Sequence, residues 1–188
     1  MRNSNTYNKQ RPVSEQELIQ KILNGETDLY AQIVSENQAN VVNLCYKLCG
    51  NRLEVEEVTQ RVFVELYQAL PRFRNESKLS TFIYRITVNV VSKMLSRDKR
   101  IVPENDDSRF DQISEERNIE EEIIYNERVA QLQNAIQKLK EDQRTALVLY
   151  TFEEKSYNEI AESMGWSLSK VESLIFRAKN NLRKMLVK

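Results

Sequence analysis

The stretch SYNEIAESMGWSLSKVESLIFRAKNNLRKML, residues 156–186, decides the fold. A first helix is predicted from about Tyr157 to Met164, with Ile160 and Ala161 facing inward. Gly165 then allows a tight turn, and Ser167 or Ser169 caps a second helix. At about 100° per residue, Val171, Leu174, Ile175, Ala178 and Leu182 gather on one side of that helix. Ser169, Glu172, Ser173, Phe176, Arg177 and Asn180 take the opposite arc. Residues 169–188 carry 6 Lys+Arg against 1 acid. A short helix, a glycine turn and a basic amphipathic helix form the pattern of a duplex-reading helix-turn-helix, whose second helix enters the major groove. A purely structural helix pair explains the apolar positions equally well but leaves the polar-basic arc unexplained. Ser169, Glu172, Ser173, Phe176 and Arg177 on that arc, with Lys170 and Lys179 at its edges, are the candidate duplex-binding residues, and Phe176 suits apolar contact with a thymine methyl.

Upstream of this pair, residues 128–150 are amphipathic through Val129, Leu132, Ile136, Leu139, Ala146, Leu147 and Leu149, with a break expected near Lys140–Asp142. Before it the texture changes. Residues 101–126 hold 2 Lys+Arg and 9 Asp+Glu, a balance of −7, with Pro103 and an Asn-Asp-Asp-Ser cluster. Residues 101–120 read as a linker, and 119–126 can join the next helix. An acidic solvated loop serving only solubility fits the composition equally well. The flanking blocks, 1–100 and 127–188, are mildly basic at +4 and +3, so the formal net charge of zero conceals the pattern.

The first block is helical. Ser14 and Glu17 make a capping-box signature before Leu18, Ile19, Ile22 and Leu23, and Gly25 stops the helix. A second helix is expected from Thr27-Asp28 through Leu29, Ile33 and Val34, and a third through Val41, Val42, Leu44, Cys45 and Leu48 to Gly50-Asn51. A fourth, residues 54–70, has Val55, Val58, Val62, Phe63, Leu66 and Leu70 in period, with Glu56, Glu57, Gln60, Arg61 and Gln68 facing elsewhere, until Pro71 ends it. A polar loop, 72–78, leads into a long helix from about Ser80. Residues 72–100 hold 8 Lys+Arg against 2 acids, with Phe73, Phe82 and Tyr84 interleaved. Cations that track phosphates, alternating with rings that accept unstacked bases, suit single-stranded nucleic acid. An ordinary amphipathic helix with core aromatics is the competing explanation for any one of these residues.

Composition removes several function classes. With 188 residues, 40% apolar and 30% charged, the chain can bury one core or two small ones. Gly25, Gly50 and Gly165 are too far apart for a phosphate loop. Histidine is absent, which removes Ser-His-Asp and Cys-His nucleophiles and His-ligated zinc. Glu56 and Glu57 diverge around a helix and make a poor acid–base pair, so no catalytic residue, metal site or cofactor is expected. Cys45 and Cys49, four apart, fit core packing better than a disulfide or a metal site. No apolar run reaches the ~18 residues of a membrane span, and the polar N-terminus lacks a signal peptide's apolar stretch. A cytoplasmic location is expected.

Three stretches in order, EVEEVTQRVFVELYQALPRFR, SKLSTFIYRITVNVVSKMLSRDKR and the opening one, resemble bacterial sigma factors of the extracytoplasmic-function group. The resemblance covers residues 25–186 and implies an initiation factor that binds core RNA polymerase, directs it to promoters and helps open them. It implies that Glu56, Glu57, Gln60 and Arg61 grip the clamp helices of the polymerase largest subunit, although the family usually has an acid where Arg61 stands. It implies capture of an extruded minus-ten base by the 72–78 loop and the helix after it, with Asn89 a further contact. Joined to the basic-aromatic pattern, this gives Arg72, Phe73, Arg74, Lys78, Phe82, Tyr84, Arg85, Asn89, Lys93 and Arg97 as the minus-ten set. The linker would thread towards the RNA exit path, its negative charge imitating nucleic acid. Lys170, Ser173, Phe176 and Arg177 match the helix that reads the minus-thirty-five element as duplex, while Glu172 and Leu174 stand where the family commonly has Lys and Arg.

The expectation is thus an all-α chain of two small helical domains joined by an acidic linker, without catalysis. A tail over 1–13 precedes a region 2 domain over 14–100, a linker over 101–126 and a region 4 domain over 127–188. Partners implied are core RNA polymerase, single-stranded minus-ten and duplex minus-thirty-five promoter DNA, and an anti-sigma factor. The competing reading is a repressor or activator that binds duplex DNA with one helix-turn-helix and no polymerase. It leaves the 72–100 segment unused.

Overall fold

A computed structural model describes residues 14–98 and 119–187. Every regular element among them is helical: α1 (Glu15–Leu23), α2 (Tyr30–Cys49), α3 (Val55–Ala69), α4 (Leu79–Asp98), α5 (Ile119–Gln137), α6 (Glu141–Thr151), α7 (Tyr157–Met164) and α8 (Leu168–Leu186), with 3₁₀ turns before α2, after α2 and after α3. The 1–13 tail, and most of the acidic linker, lie outside the described residues. The last part of the 101–126 stretch, from Ile119, is the start of α5.

Local chemistry sets the helix ends. Ser14 and Glu17 form the reciprocal capping box that starts α1, and Ser156 and Glu159 form another at the start of α7. Ser167, not Ser169, caps α8, accepting from the Lys170 N–H. Gly165 adopts the left-handed conformation at φ 65°, and Trp166 N–H closes the turn on the Ala161 carbonyl at 2.9 Å. The 3₁₀ turn Leu70–Arg72 takes over from α3, with Pro71 in its first turn. Glu15 reaches across to accept from the Leu79 N–H at 2.9 Å, tying α1 to the start of α4.

One expectation fails: the helices expected to start at Thr27-Asp28 and to end at Gly50 are one. Residues Thr27–Leu29 form a 3₁₀ turn that feeds a single α2 of 20 residues. The polar run Ser35–Asn40 interrupts the apolar period without breaking the helix. Its side chains bond within the helix, with Asn37 Nδ2 donating to the Ile33 carbonyl at 2.8 Å and Gln32 Nε2 to Glu36 at 2.8 Å. That part of α2 is mainly exposed and has no apolar surface to bury.

Helices α2, α3 and α4 pack on one another around Leu44, Val58, Val62 and Leu66. Helices α6, α7 and α8 form the second group, where Ile160, Val171 and Ile175 meet Val148 and Leu149. The groups share a core: α2 also packs on α5 and α6, and α4 on α7. Arg144 is buried where α5, α6 and the end of α2 converge. Its guanidinium donates to the Gln137 carbonyl at 3.2 Å, and Gln137 Nε2 donates to the Lys47 carbonyl at 3.3 Å. Burial lowers the Arg144 pKa.

The α7 capping box makes a testable contribution. Removing the Ser156 hydroxyl (Ser156→Ala) is expected to lower unfolding free energy by about 1 kcal/mol. Hydrogen bonds from the Ser156 backbone N–H and hydroxyl hold the Glu159 carboxyl below its ordinary 4.5. A depressed carboxyl gives stability that is fully present above the unfolded pKa and lost as pH falls through the folded one. Thermal midpoints followed down through that acid window should therefore fall less steeply in Ser156→Ala than in the parent. Equal slopes would refute the contribution.

Candidate nucleic-acid interface

Helix α4 carries Arg85, Asn89, Lys93 and Arg97 at intervals of four, all exposed, so they run as one row over about 18 Å of helix. Buried Ile83, Ile86, Val90 and Val91 hold the opposite side in the core. The row gives α4 a line of donors suited to phosphates, with Arg85 at its head turned to the Ser163 and Glu162 carbonyls at 2.6 and 3.0 Å. Arg72, Arg74 and Lys78 are exposed in the loop before it, where Asn75 takes φ 56° and donates to Gln16 at 3.4 Å. The loop is therefore pinned to α1.

The aromatic members sit deeper than the cations. Phe73 and Phe82 are half-buried against the core and against each other, ring centroids 5.1 Å apart. Tyr84 is half-buried, and Lys155 lies over its ring at 4.8 Å. Burial, with Glu153 beside it, pushes the Tyr84 hydroxyl up to about 12. These rings support the loop and α4, and their faces are not open stacking platforms in this arrangement.

On α3, Glu56, Glu57, Gln60 and Arg61 are all exposed on one side, and the two acids sit in the first turn where they complement the helix dipole. Arg61 is paired with Glu65 at 2.9 Å, one turn on. The structure extends this face with two residues that periodicity did not single out. Val64 and Tyr67, 48% and 42% exposed, continue it towards the C-terminal end. Tyr67 is held edge-on to Tyr30, whose hydroxyl donates to the Phe63 carbonyl at 2.6 Å. The available signal was Val64 itself, an apolar residue outside the buried stripe.

On α8 the expected sides are found. Val171, Ile175 and Ala178 are buried, while Ser169, Glu172, Phe176 and Arg177 are exposed and Ser173 is half-buried. Phe176 is 68% exposed, an unusual position for a phenyl ring without an apolar partner. Lys170 does not stand free: its Nζ pairs with Asp142 at 2.9 Å and lies over the Trp166 ring at 4.3 Å. Lys179 leans back over the Tyr150 ring at 4.6 Å. Among the described residues Glu172 has no ion-pair partner. No group of His, Cys, Asp or Glu among the described residues could hold a metal ion.

Both thiols are fully buried in α2. Burial pushes Cys45 up to about 12 and Cys49 up to about 11. The folded protein is therefore expected to leave Ellman's reagent unreacted at mildly alkaline pH and to release both equivalents in denaturant. Rapid reaction of either thiol in the native state would contradict the packing.

Two family models match the chain: sigma-70 region 2 over residues 33–101 and sigma-70 region 4 over residues 130–182. The chain is 31% identical to the RNA polymerase sigma-H factor of Pseudomonas aeruginosa, covering 92% of this chain and 93% of that one. It is 30% identical to the ECF RNA polymerase sigma-E factor of Haemophilus influenzae, covering 89% and 92%. Among solved structures, the sigma factor RpoE in complex with the anti-sigma factor NepR from Bartonella quintana superposes with a TM-score of 0.65 at 19% identity, over 84% of this chain and 96% of that one. That last likeness speaks to the fold alone.

Proposed function

This chain belongs to the extracytoplasmic-function sigma factors of RNA polymerase, and from that premise we propose how its residues divide the work of starting transcription. As a sigma factor it directs core polymerase to promoters and takes part in opening them. The family is not enzymatic, and we assign the chain no catalysis of its own. No described helix is long and apolar enough to cross a membrane, and the proposed place of action is the cytoplasm, beside polymerase and DNA.

The observation that carries the division is the separation of three polar faces on three helices. Residues 14–100 form the unit that binds polymerase and the minus-ten element. The α3 face of Glu56, Glu57, Gln60 and Arg61, without cationic excess, suits protein contact with the clamp helices of the polymerase largest subunit. The α4 row and the loop, with Arg72, Arg74, Lys78, Arg85, Asn89, Lys93 and Arg97, suit separated minus-ten strands. Phe73, Phe82 and Tyr84 form the floor of this site. Extruding a base costs a few kcal/mol, so a loop that binds only the right base converts that cost into selectivity.

Residues 127–188 form the unit that reads the minus-thirty-five duplex through Ser169, Lys170, Glu172, Ser173, Phe176, Arg177 and Lys179. Arg177 supplies a phosphate or guanine contact, and Phe176 packs on a thymine methyl. Glu172 is repelled by phosphates and finds a favourable partner only in a base-edge donor such as the cytosine amino group. The acidic linker over 101–126 crosses a basic channel of the polymerase. An anti-sigma factor is the proposed antagonist.

Run-off transcription with core polymerase and fragmented DNA from the source cell tests the whole reading. New discrete starts are expected only when the protein is present. Duplex binding without new starts would favour a polymerase-independent regulator. Replacing Glu57 and Gln60 together by alanine should weaken core polymerase affinity about ten-fold, or about 1.4 kcal/mol, and leave duplex binding unchanged. Glu172→Arg should change base preference at one minus-thirty-five position by about ten-fold, read from run-off on a promoter library. Unchanged preference would remove Glu172 from the reading surface.

A further inference from the structure

We propose that the minus-ten site extends across the 72–78 loop onto α1, where a cleft takes one splayed base of the separated strand and Gln16 and Gln20 read its edge. This subsite presupposes that the loop meets minus-ten DNA, as proposed above, and gives the loop a second reading wall.

The cleft is a space of about 310 Å³ bounded by Gln16, Ile19 and Gln20 of α1 and by Phe73, Arg74 and Asn75 of the loop. That volume lies at the lower end of the roughly 300–1,000 Å³ of small-molecule clefts, so it suits one flat ring system. Its lining has the matching chemistry. Buried Ile19 and half-buried Phe73 supply apolar surface, two glutamines supply amides, and exposed Arg74 offers a cation to an adjoining phosphate.

Helix α1 also builds the loop. Glu15 accepts from the Leu79 N–H where the loop enters α4, and the Gln16 side-chain carbonyl accepts from Asn75 Nδ2. Asn75 holds φ 56°, a left-handed conformation that asparagine tolerates better than most residues. The capping box at Ser14 and the buried side chains of Leu18, Ile19 and Ile22 fix α1 in turn. Both walls are therefore set before DNA arrives, which reduces the ordering cost of binding a base.

Gln16 and Gln20 stand one turn apart on one side of α1. With its carbonyl taken up by Asn75, Gln16 presents N–H donors to a base acceptor. The Gln20 side-chain amide is exposed and bonds to no other group among the described residues. It can donate to a ring nitrogen or carbonyl and accept from an exocyclic amino group. A base splayed out of its strand presents just such unpaired edges.

The test uses holoenzyme reconstituted from core polymerase and the full-length protein. Its template is a promoter found by run-off, randomised across and just downstream of the minus-ten element. Gln20→Ala should reduce discrimination about ten-fold at one position and leave the others as in the parent. Gln20→Glu can only accept, so preference at that same position should move away from thymine, the one DNA base without an exocyclic amino group. Gln20 is exposed, and thermal midpoints equal to the parent's should exclude a folding defect. In the open complex, p-benzoylphenylalanine in place of Gln20 should photo-crosslink to one nucleotide of a minus-ten strand. The same group in place of Lys21, about 100° round the helix, should not. A uniform loss of transcription at every sequence, or crosslinking from both positions or from neither, overturns the subsite and leaves α1 a support for the loop. If Lys78→Ala impairs opening while both Gln20 variants keep the parental preferences, the loop assignment stands and the α1 wall falls. Failure of the functional reading looks different: wild-type holoenzyme then gives no new starts, and the subsite falls with it.

Discussion

The C-terminal half of α2 is the wall on which both helical groups rest. Leu44, Cys45 and Leu48 are buried there, α3 and α4 pack on α2 from one group, and α5 and α6 reach it from the other. Tight packing requires every helix of the two groups to present its apolar stripe, which leaves each only one side for anything else. The polar side of α3, the cationic row of α4 and the arc of α8 are those remaining sides. The core therefore orients the recognition surfaces as well as stabilising the fold. Arg144 and Gln137 complete the junction with polar contacts at the end of α2.

The surfaces differ in the physics they use. A row of cations spaced by four follows a backbone of regularly spaced charges and needs little side-chain precision. The α8 arc is less cationic than its composition suggests, because Lys170 is held by Asp142 and Trp166, and Lys179 by Tyr150. What faces outward over residues 169–177 is a carboxylate, hydroxyls, a phenyl ring and one guanidinium, a set that discriminates by shape and hydrogen bonding more than by attraction. The α3 side combines acids with the exposed apolar pair Val64 and Tyr67, the mixture expected of protein contact.

Much of this was legible in the sequence because helices are local. The capping box at Ser14, the turn at Gly165, the break before Glu141 and the two sides of α8 all depend on residues within a few positions of one another. The continuity of α2 was not legible, since an exposed polar run and a chain break look alike to a periodicity argument. Nor were the bonds of Arg85 to Ser163 or of Lys47 to Glu153, which join residues 78 and 106 positions apart. Such contacts follow from how the groups dock, and no spacing rule encodes them. The depth of Phe73, Phe82 and Tyr84 was hidden for the same reason: a ring among cations reads identically whether it faces solvent or the core.

The burial of both cysteines has a consequence for timing. A chain with no histidine has no side chain that ordinarily changes charge near neutral pH, and sulfurs sealed inside α2 are out of reach of peroxide and glutathione alike. Neither protonation of a histidine nor oxidation of Cys45 or Cys49 offers a handle on this molecule. The timing of its action therefore does not run through these two chemistries.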